Sequence, residues 1–409
     1  MKVGILTFHD AHNYGAVLQA YALKKYIKQL GYDVNVINYH HKTIPDGFPR
    51  ENNEIRWDKF NKFIKELTNG EQTVYTCEED LEKLDIDFWI CGSDQIWNTE
   101  ITRGFNKGFF LDFETNGKKI SYAVSMGIPN LPKEQEEDFK NSINKLDFIS
   151  VREETLKQYA ERFTEKEVTK TLDPTLLLES NDYDDLLLEN KYGDYVLIYA
   201  LGPDERLTKI AKKIAEEKKV KIVELNDKEK ENYFCEQVSN AGPMEFLTLI
   251  KNAKAIITNS FHGTIFSIIF GKEFYTITRL NRNSRMENIL DIVGMRDRLI
   301  DRIEELENVN EQDYEKALKN LKEEKKKSQE FLKKAPRWIN MSIEFCSKIT
   351  LQIYLVQFVI IYKMGSFDFP LNFLGTTFTI FVVASVVYFV ESFIRKEIKR
   401  GERNAKSTD

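Results

Sequence analysis

Cysteine and histidine are scarce in this chain, with four of the first and five of the second among 409 residues. Cys77, Cys91, Cys235 and Cys346 are scattered and form no Cys-x-x-Cys pair. They indicate neither a zinc site nor a disulfide framework, and a reducing compartment fits. The dinucleotide fingerprint Gly-x-Gly-x-x-Gly is missing, which argues against NAD or FAD. No metal-ligating cluster is visible, so the expectation is a protein with neither metal nor other cofactor. Excess positive charge is also missing. A net charge of −6 leaves a nucleic-acid role without an electrostatic footprint. Met1 to Phe8 is too short for the apolar core of a signal peptide and runs into a polar loop.

What remains is an ordinary globular composition, 42% hydrophobic and 30% charged, long enough for two or three domains. The chain is organised around one stretch, from Ala253 to Phe270. Ala255 to Ile257 reads as a buried strand, followed by a short polar loop and a helix opening near Gly263. That helix carries Ile265, Phe266, Ile268, Ile269 and Phe270 nearly all round, so burial is expected. Its N-terminus directs backbone N–H groups at a loop holding Asn259, Ser260 and His262, a natural anion site with a titratable imidazole beside it. His262 is either a functional group there or a hydrogen-bonded structural histidine.

The preceding chain repeats the same grammar. Lys2 to Phe8 reads as a strand, Ala16 to Leu30 as a helix stopped at Gly31, and Asp33 to Tyr39 as a second strand. This βαβ unit opens a parallel sheet. Its first loop, with His9, His12 and Asn13, faces the carboxyl edge of the strands, where ligands bind in open α/β sheets. A strand from Asp87 ends in the turn Gly92-Ser93-Asp94, where Asp94 either meets a ligand or caps a following turn. Lys119 to Ser125 and Phe148 to Val151 read as further strands. Arg152, at the carboxyl end of the second, either clamps a phosphate or carboxylate bidentately or forms a surface ion pair with Glu153 or Glu154.

Leu172-Asp173-Pro174-Thr175 marks a crossing segment, since Pro prevents a regular helix. A second sheet is expected from Tyr195 to Ala200, then Lys221 to Leu225, the Ala255 strand, and Lys272 to Thr278. Arg279, Arg282 and Arg285 follow that last strand as an anion cradle or a solvated loop. Residues 311–334 read as a long charged helix packed across both sheets. Past Ile339 the composition changes. Ile349 to Tyr362 and Leu371 to Val390 carry no charge, and the second reaches bilayer-spanning length. A two-helix hairpin with both ends on the cytoplasmic side fits the basic flanks, including Lys333, Lys334, Arg337, Arg395 and Lys396. A re-entrant hairpin and a buried core hairpin are the alternatives.

Over about Lys2 to Lys334 the chain resembles the polysaccharide pyruvyl transferase family. The residues carrying the resemblance are Asn13-Tyr14-Gly15-Ala16, Gly92-Ser93-Asp94-Gln95-Ile96-Trp97, Ser150-Val151-Arg152-Glu153, Asp173-Pro174-Thr175 and Asn259-Ser260-Phe261-His262-Gly263. The resemblance implies an α/β fold of two Rossmann-like domains facing a cleft, similar to the GT-B architecture. With the sequence it sets three regions: residues 1–180, residues 190–334, and a hydrophobic hairpin with a basic tail at 339–398. It also implies transfer of pyruvyl from phosphoenolpyruvate to two hydroxyls of a sugar as a ketal; the hairpin expected at 339–398 would place this at the cytoplasmic face of a membrane, which suits a lipid-linked saccharide. On this reading His262 is the general acid/base and Arg152 the donor anchor. Asn259, Ser260, Gly263, Arg279, Arg282 and Arg285 serve the donor, while His9, His12, Asn13 and Asp94 line the acceptor face. Members often carry Arg two residues before the histidine, where this chain has Ser260, so either one of the later arginines supplies that charge or the donor differs. The alternatives are a nucleotide-sugar glycosyltransferase of the same shape and a non-catalytic membrane-bound partner in polysaccharide assembly.

Overall fold

The computed structural model describes residues 1–40, 53–226, 233–278, 284–311 and 313–334. Arg279, Arg282 and the apolar segments 349–362 and 371–390 lie outside the described residues. Among the described residues no helix is long and apolar enough to cross a membrane.

Two six-stranded sheets, parallel throughout, carry the fold. The first contains β1 (Lys2–Leu6), β2 (Asp33–Val36), β3 (Phe88–Cys91), β4 (Lys118–Val124), β5 (Phe148–Val151) and β6 (Val168–Lys170), in the order β2-β1-β3-β4-β5-β6. The second contains β7 (Tyr195–Tyr199), β8 (Lys221–Leu225), β9 (Glu236–Val238), β10 (Ala255–Thr258), β11 (Glu273–Ile277) and β12 (Leu299–Ile300), in the order β12-β11-β10-β7-β8-β9. Helices cover both faces of such sheets, so the central strands are buried on both sides and read as unbroken apolar runs. Phe88–Cys91, Tyr195–Tyr199 and Ala255–Thr258 are buried at every position.

In each sheet the strand order reverses once, between β1 and β3 in the first and between β7 and β10 in the second. Such switch points leave a crevice at the carboxyl ends of the strands. The helices that open there are α1 (Tyr14–Gln29) after β1 and α8 (Phe261–Ile269) after β10. Between them along the chain come α2 (Glu54–Leu67), α3 (Glu78–Leu81), α4 (Glu136–Ile143), α5 (Glu154–Ala160), α6 (Glu205–Lys218) and α7 (Pro243–Asn252). Two more follow, α9 (Ser284–Val293) and α10 (residues 314–334).

Both sheets belong to one compact unit, Met1–Leu332. Tyr14 joins them: its ring stacks on Phe246 of α7 at 4.6 Å, and its hydroxyl donates to the Ala241 carbonyl at 2.9 Å. Helix α2 adds an ion pair from Lys59 to Glu245 at 2.5 Å, and the Asn53 amide donates to the Ser239 carbonyl. Helix α10, read from sequence as a long charged helix, crosses between the sheets. At one end the anchor is Tyr314, which donates to the Lys272 carbonyl. Towards the other, Ser328 Oγ accepts from Leu172 N at 2.9 Å and Phe331 packs on Tyr122.

Candidate functional site

Three loop-to-helix corners meet between the sheets. From the second sheet comes the corner after β10, where the chain turns into α8 at Phe261, two residues earlier than the sequence predicts. His262 therefore stands inside the first turn of the helix rather than in a loop. Ser260 is the N-cap, its Oγ accepting from Gly263 N at 3.3 Å. Asn259 Oδ1 accepts from Leu201 N at 2.7 Å, tying the corner to the end of β7. Gly263 is tightly enclosed, since a Cβ there would lie 2.5 Å from Thr258 Oγ1. Asn259, Ser260 and Gly263 thus build the corner. The N–H groups of Phe261 and His262, in the first turn, have no partner inside the helix.

The second corner is the start of α1. Asn13 caps it, accepting from Gly15 N at 2.9 Å and Ala16 N at 3.2 Å. Here the backbone passes directly under the His262 imidazole. A Cβ on Gly15 would stand 2.0 Å from Nδ1, so only glycine leaves the ring its place.

The third corner is the carboxyl end of β5 and β6, and it brings Arg152 and Asp173. Asp173 is completely buried side chain to tip. Its Oδ1 accepts from Thr175 N and Oγ1, and its Oδ2 receives Arg152 Nη1 at 2.6 Å. His262 Nε2 lies 3.5 Å from the same Oδ2, close enough for charge attraction but without a hydrogen bond. Burial pushes the Asp173 carboxyl up, and the adjacent His262 and Arg152 outweigh it, holding the group far below the usual carboxylate range. Burial pushes the Arg152 guanidinium down, and the carboxylates of Asp173, Glu153 and Asp94 more than reverse it.

Arg152 is 4% exposed, so its ion pair with Glu153 lies in the interior and not at the surface. Although Asp173 takes Nη1, its Nε and Nη2 have no hydrogen-bond partner. Asp94 Oδ1 stands 3.9 Å from Nη2 and Glu153 Oε1 3.8 Å from Nε, beyond hydrogen-bond reach. The guanidinium lies 4.9 Å from the centre of the Phe261 ring. Arg285, from the first turn of α9, reaches the same ring at 5.6 Å and brings its Nε to 3.9 Å from Glu153 Oε1. Of the three arginines expected to cradle an anion, Arg285 is therefore placed beside Arg152. Buried donors without partners carry a free-energy cost that an anion with two oxygens in one plane would remove. Backbone strain collects at the same place. Asp94 and Ala123 adopt φ of 73° and 49°, uncommon for residues other than glycine.

The expected acceptor residues separate. Asp94 borders Arg152, and Asn13 stands exposed at the start of α1. His12 packs its ring on Trp57 at 3.7 Å and on Phe60 at 5.0 Å. His9 needs correction as an acceptor contact. It is completely buried, with Nδ1 3.1 Å from the Thr7 carbonyl and Nε2 3.1 Å from Asn38 Oδ1. Its ring fastens the β1 loop to the end of β2 rather than facing an acceptor. Two residues not assigned a role from the residues alone, Asp173 and Glu153, occupy the centre. Among the described residues there is no group of three or more His, Cys, Asp or Glu able to hold a metal.

The family profile described as polysaccharide pyruvyl transferase matches residues 13–281, from the Asn13 cap through the His262 corner. The chain belongs to the polysaccharide pyruvyl transferase family. No curated protein matches it. Among solved structures it is similar to a UDP-GlcNAc 2-epimerase from Methanocaldococcus jannaschii in complex with UDP-GlcNAc and UDP. That pair shares 16% identity over 77% of this chain and 94% of the other, with a TM-score of 0.46. A UDP-GlcNAc 2-epimerase from Neisseria meningitidis bound to UDP-GlcNAc gives 10% identity over 82% and 94%, TM-score 0.45. The E. coli heptosyltransferase WaaC with ADP-2-deoxy-2-fluoro heptose gives 10% over 68% and 88%, TM-score 0.36.

Proposed function

We propose that this family member transfers pyruvyl from phosphoenolpyruvate to two hydroxyls of a sugar, forming a cyclic ketal in cell-surface polysaccharide synthesis. The observation that carries the reading is the meeting of Arg152 and His262 on Asp173, with Arg152 Nε and Nη2 left without hydrogen-bond partners. Phosphoenolpyruvate carries a carboxylate and a phosphate on one small frame. Arg152, Arg285 and the first-turn N–H groups of α8 are the cationic and dipolar partners such a donor needs.

The reaction adds one proton to the donor methylene carbon, making it a methyl group. One sugar oxygen bonds to the neighbouring carbon, and the bond from that carbon to the phosphate oxygen breaks, its electron pair leaving with phosphate. The second sugar oxygen then closes the ketal. Of the two hydroxyl protons lost, one balances the new methyl group and one leaves on phosphate. His262, on the helix N-terminus and 3.5 Å from Asp173, is the general acid/base in this scheme. Asp94 and Asn13 face the acceptor. The hydrophobic hairpin at 339–398 anchors the chain at the cytoplasmic face of a membrane, which suits a lipid-linked saccharide.

Membranes or saccharide fractions incubated with the protein and with phosphoenolpyruvate labelled in its pyruvyl carbons test the donor. Label entering the saccharide with release of inorganic phosphate supports the reading. Transfer from a labelled sugar nucleotide, with none from phosphoenolpyruvate, replaces it with glycosyl transfer.

A further inference from the structure

Glu153 follows Arg152 in sequence and is 5% exposed, an unusual place for a carboxylate next to an anion site. Its Oε1 is equidistant from two cations, 3.8 Å from Arg152 Nε and 3.9 Å from Arg285 Nε. Neither contact is a hydrogen bond. The reason lies on β4, where Ser125, the residue after the strand, donates its hydroxyl to the same Oε1. Ser125 is itself fixed, its N–H donating to the Asp94 carbonyl at 2.9 Å. The carboxylate is thus tethered and does not close onto either arginine. Oε2 has no hydrogen-bond partner.

We propose that Glu153 is a positioning residue, a tethered counter-ion that pairs Arg152 with Arg285 while leaving their donors unspent for an incoming dianion. The inference rests on the reading of this site as the donor site. Two guanidiniums brought against one phenylalanine ring repel, and burial strengthens the repulsion. A carboxylate between them offsets it. Had that carboxylate formed a bidentate salt bridge, it would have consumed the hydrogen-bond donors that a phosphate or carboxylate ligand needs. Held by Ser125, it supplies charge without taking the donors. Arg285 is the arm that depends on it most, since it enters from α9 and meets Glu153 as its ionic partner among the described residues. Burial and the neighbouring Arg152 both push the Arg285 guanidinium down.

Calorimetric titration of the full chain with phosphoenolpyruvate and, separately, with inorganic phosphate tests this. Glu153→Gln keeps the shape and an acceptor for Ser125 but removes the charge, and should weaken both anions about tenfold. In an Arg285→Ala background the same substitution should add no further loss, because Glu153 acts through Arg285. Ser125→Ala, which frees the carboxylate to close onto Arg152, should also weaken both anions, and it serves if Glu153→Gln does not fold. Unchanged or tighter anion binding in Glu153→Gln or Ser125→Ala overturns the proposal, as do losses that simply add in the double variant. Binding of phosphate without phosphoenolpyruvate removes the donor reading and leaves the clamp to be judged on phosphate. Binding of neither by the unaltered protein removes both.

Discussion

The imidazole of His262 rests on the backbone of Gly15, with room for a hydrogen atom and nothing larger: a Cβ would fall 2.0 Å from Nδ1. One residue comes from the first sheet and the other from the second. Their contact fixes how the two carboxyl edges meet.

Gly15→Ala is therefore a precise probe of the histidine. In a helix this change normally adds up to about 1 kcal/mol of stability. Here the overlap with a buried ring opposes that gain, and overpacking typically costs about 1–3 kcal/mol, so the melting temperature should fall modestly while the ring is pushed off Asp173. Pyruvyl transfer should fall about 10²-fold or more, the scale of a lost general acid. Thermal unfolding by circular dichroism and a transfer assay on the same preparation check it. An active Gly15→Ala protein would show that the ring position does not matter.

Asp173 concerns stability as well as chemistry. Removing its charge strands Arg152 in a buried site, and Asp173→Asn should cost about 3–5 kcal/mol. The folded-state carboxyl lies below its unfolded value, near ~3.9, so the unfolded chain takes the proton first. The stabilisation is fully present above about pH 5 and is lost as pH falls towards the folded value. Urea unfolding at several pH values should show a constant gap between the two proteins down to about pH 5, narrowing below about pH 4. A gap that widens in acid would reverse the assignment.

The membrane hairpin is a proposal from residues 339–398. Single cysteines at Ser366, in the turn, and Ser407, in the tail, with the native cysteines removed, should differ in labelling by an impermeant reagent. The turn should label in intact cells and the tail only after lysis. Tail labelling in intact cells would invert the orientation, and release by alkaline carbonate with neither site labelled would remove the anchor.

Much of the fold was legible because parallel strands buried on both faces are continuous apolar runs. The bounds of Phe148–Val151 and Lys221–Leu225 agree with the sequence reading. The edge strands Val168–Lys170, Glu236–Val238 and Leu299–Ile300 were missed, since two or three residues carry no periodicity. Helix α5 was missed as well, for it is short and follows Glu153 without a side-chain cap. Arg152 follows the end of β5 and His262 the loop after β10, and both side chains meet Asp173. Asp173 could not be given its partners from sequence, because they come from β5 and α8. Its signal was the Asp-Pro-Thr turn, where Oδ1 holds Thr175 and leaves Oδ2 for Arg152 and His262. His9 looked equally functional in sequence, and only its two partners just past β1 and β2, Thr7 and Asn38, distinguish it.

The central claim is that His262 works on phosphoenolpyruvate held by Arg152. The most direct measurement is single-turnover transfer of labelled pyruvyl to saccharide by the unaltered protein and by His262→Ala, with phosphoenolpyruvate affinity measured on both. The account predicts transfer by the first, a loss of about 10²–10⁴-fold in the second, and donor affinity within a few-fold. Equal transfer by both proteins, or none from phosphoenolpyruvate by either, would contradict it.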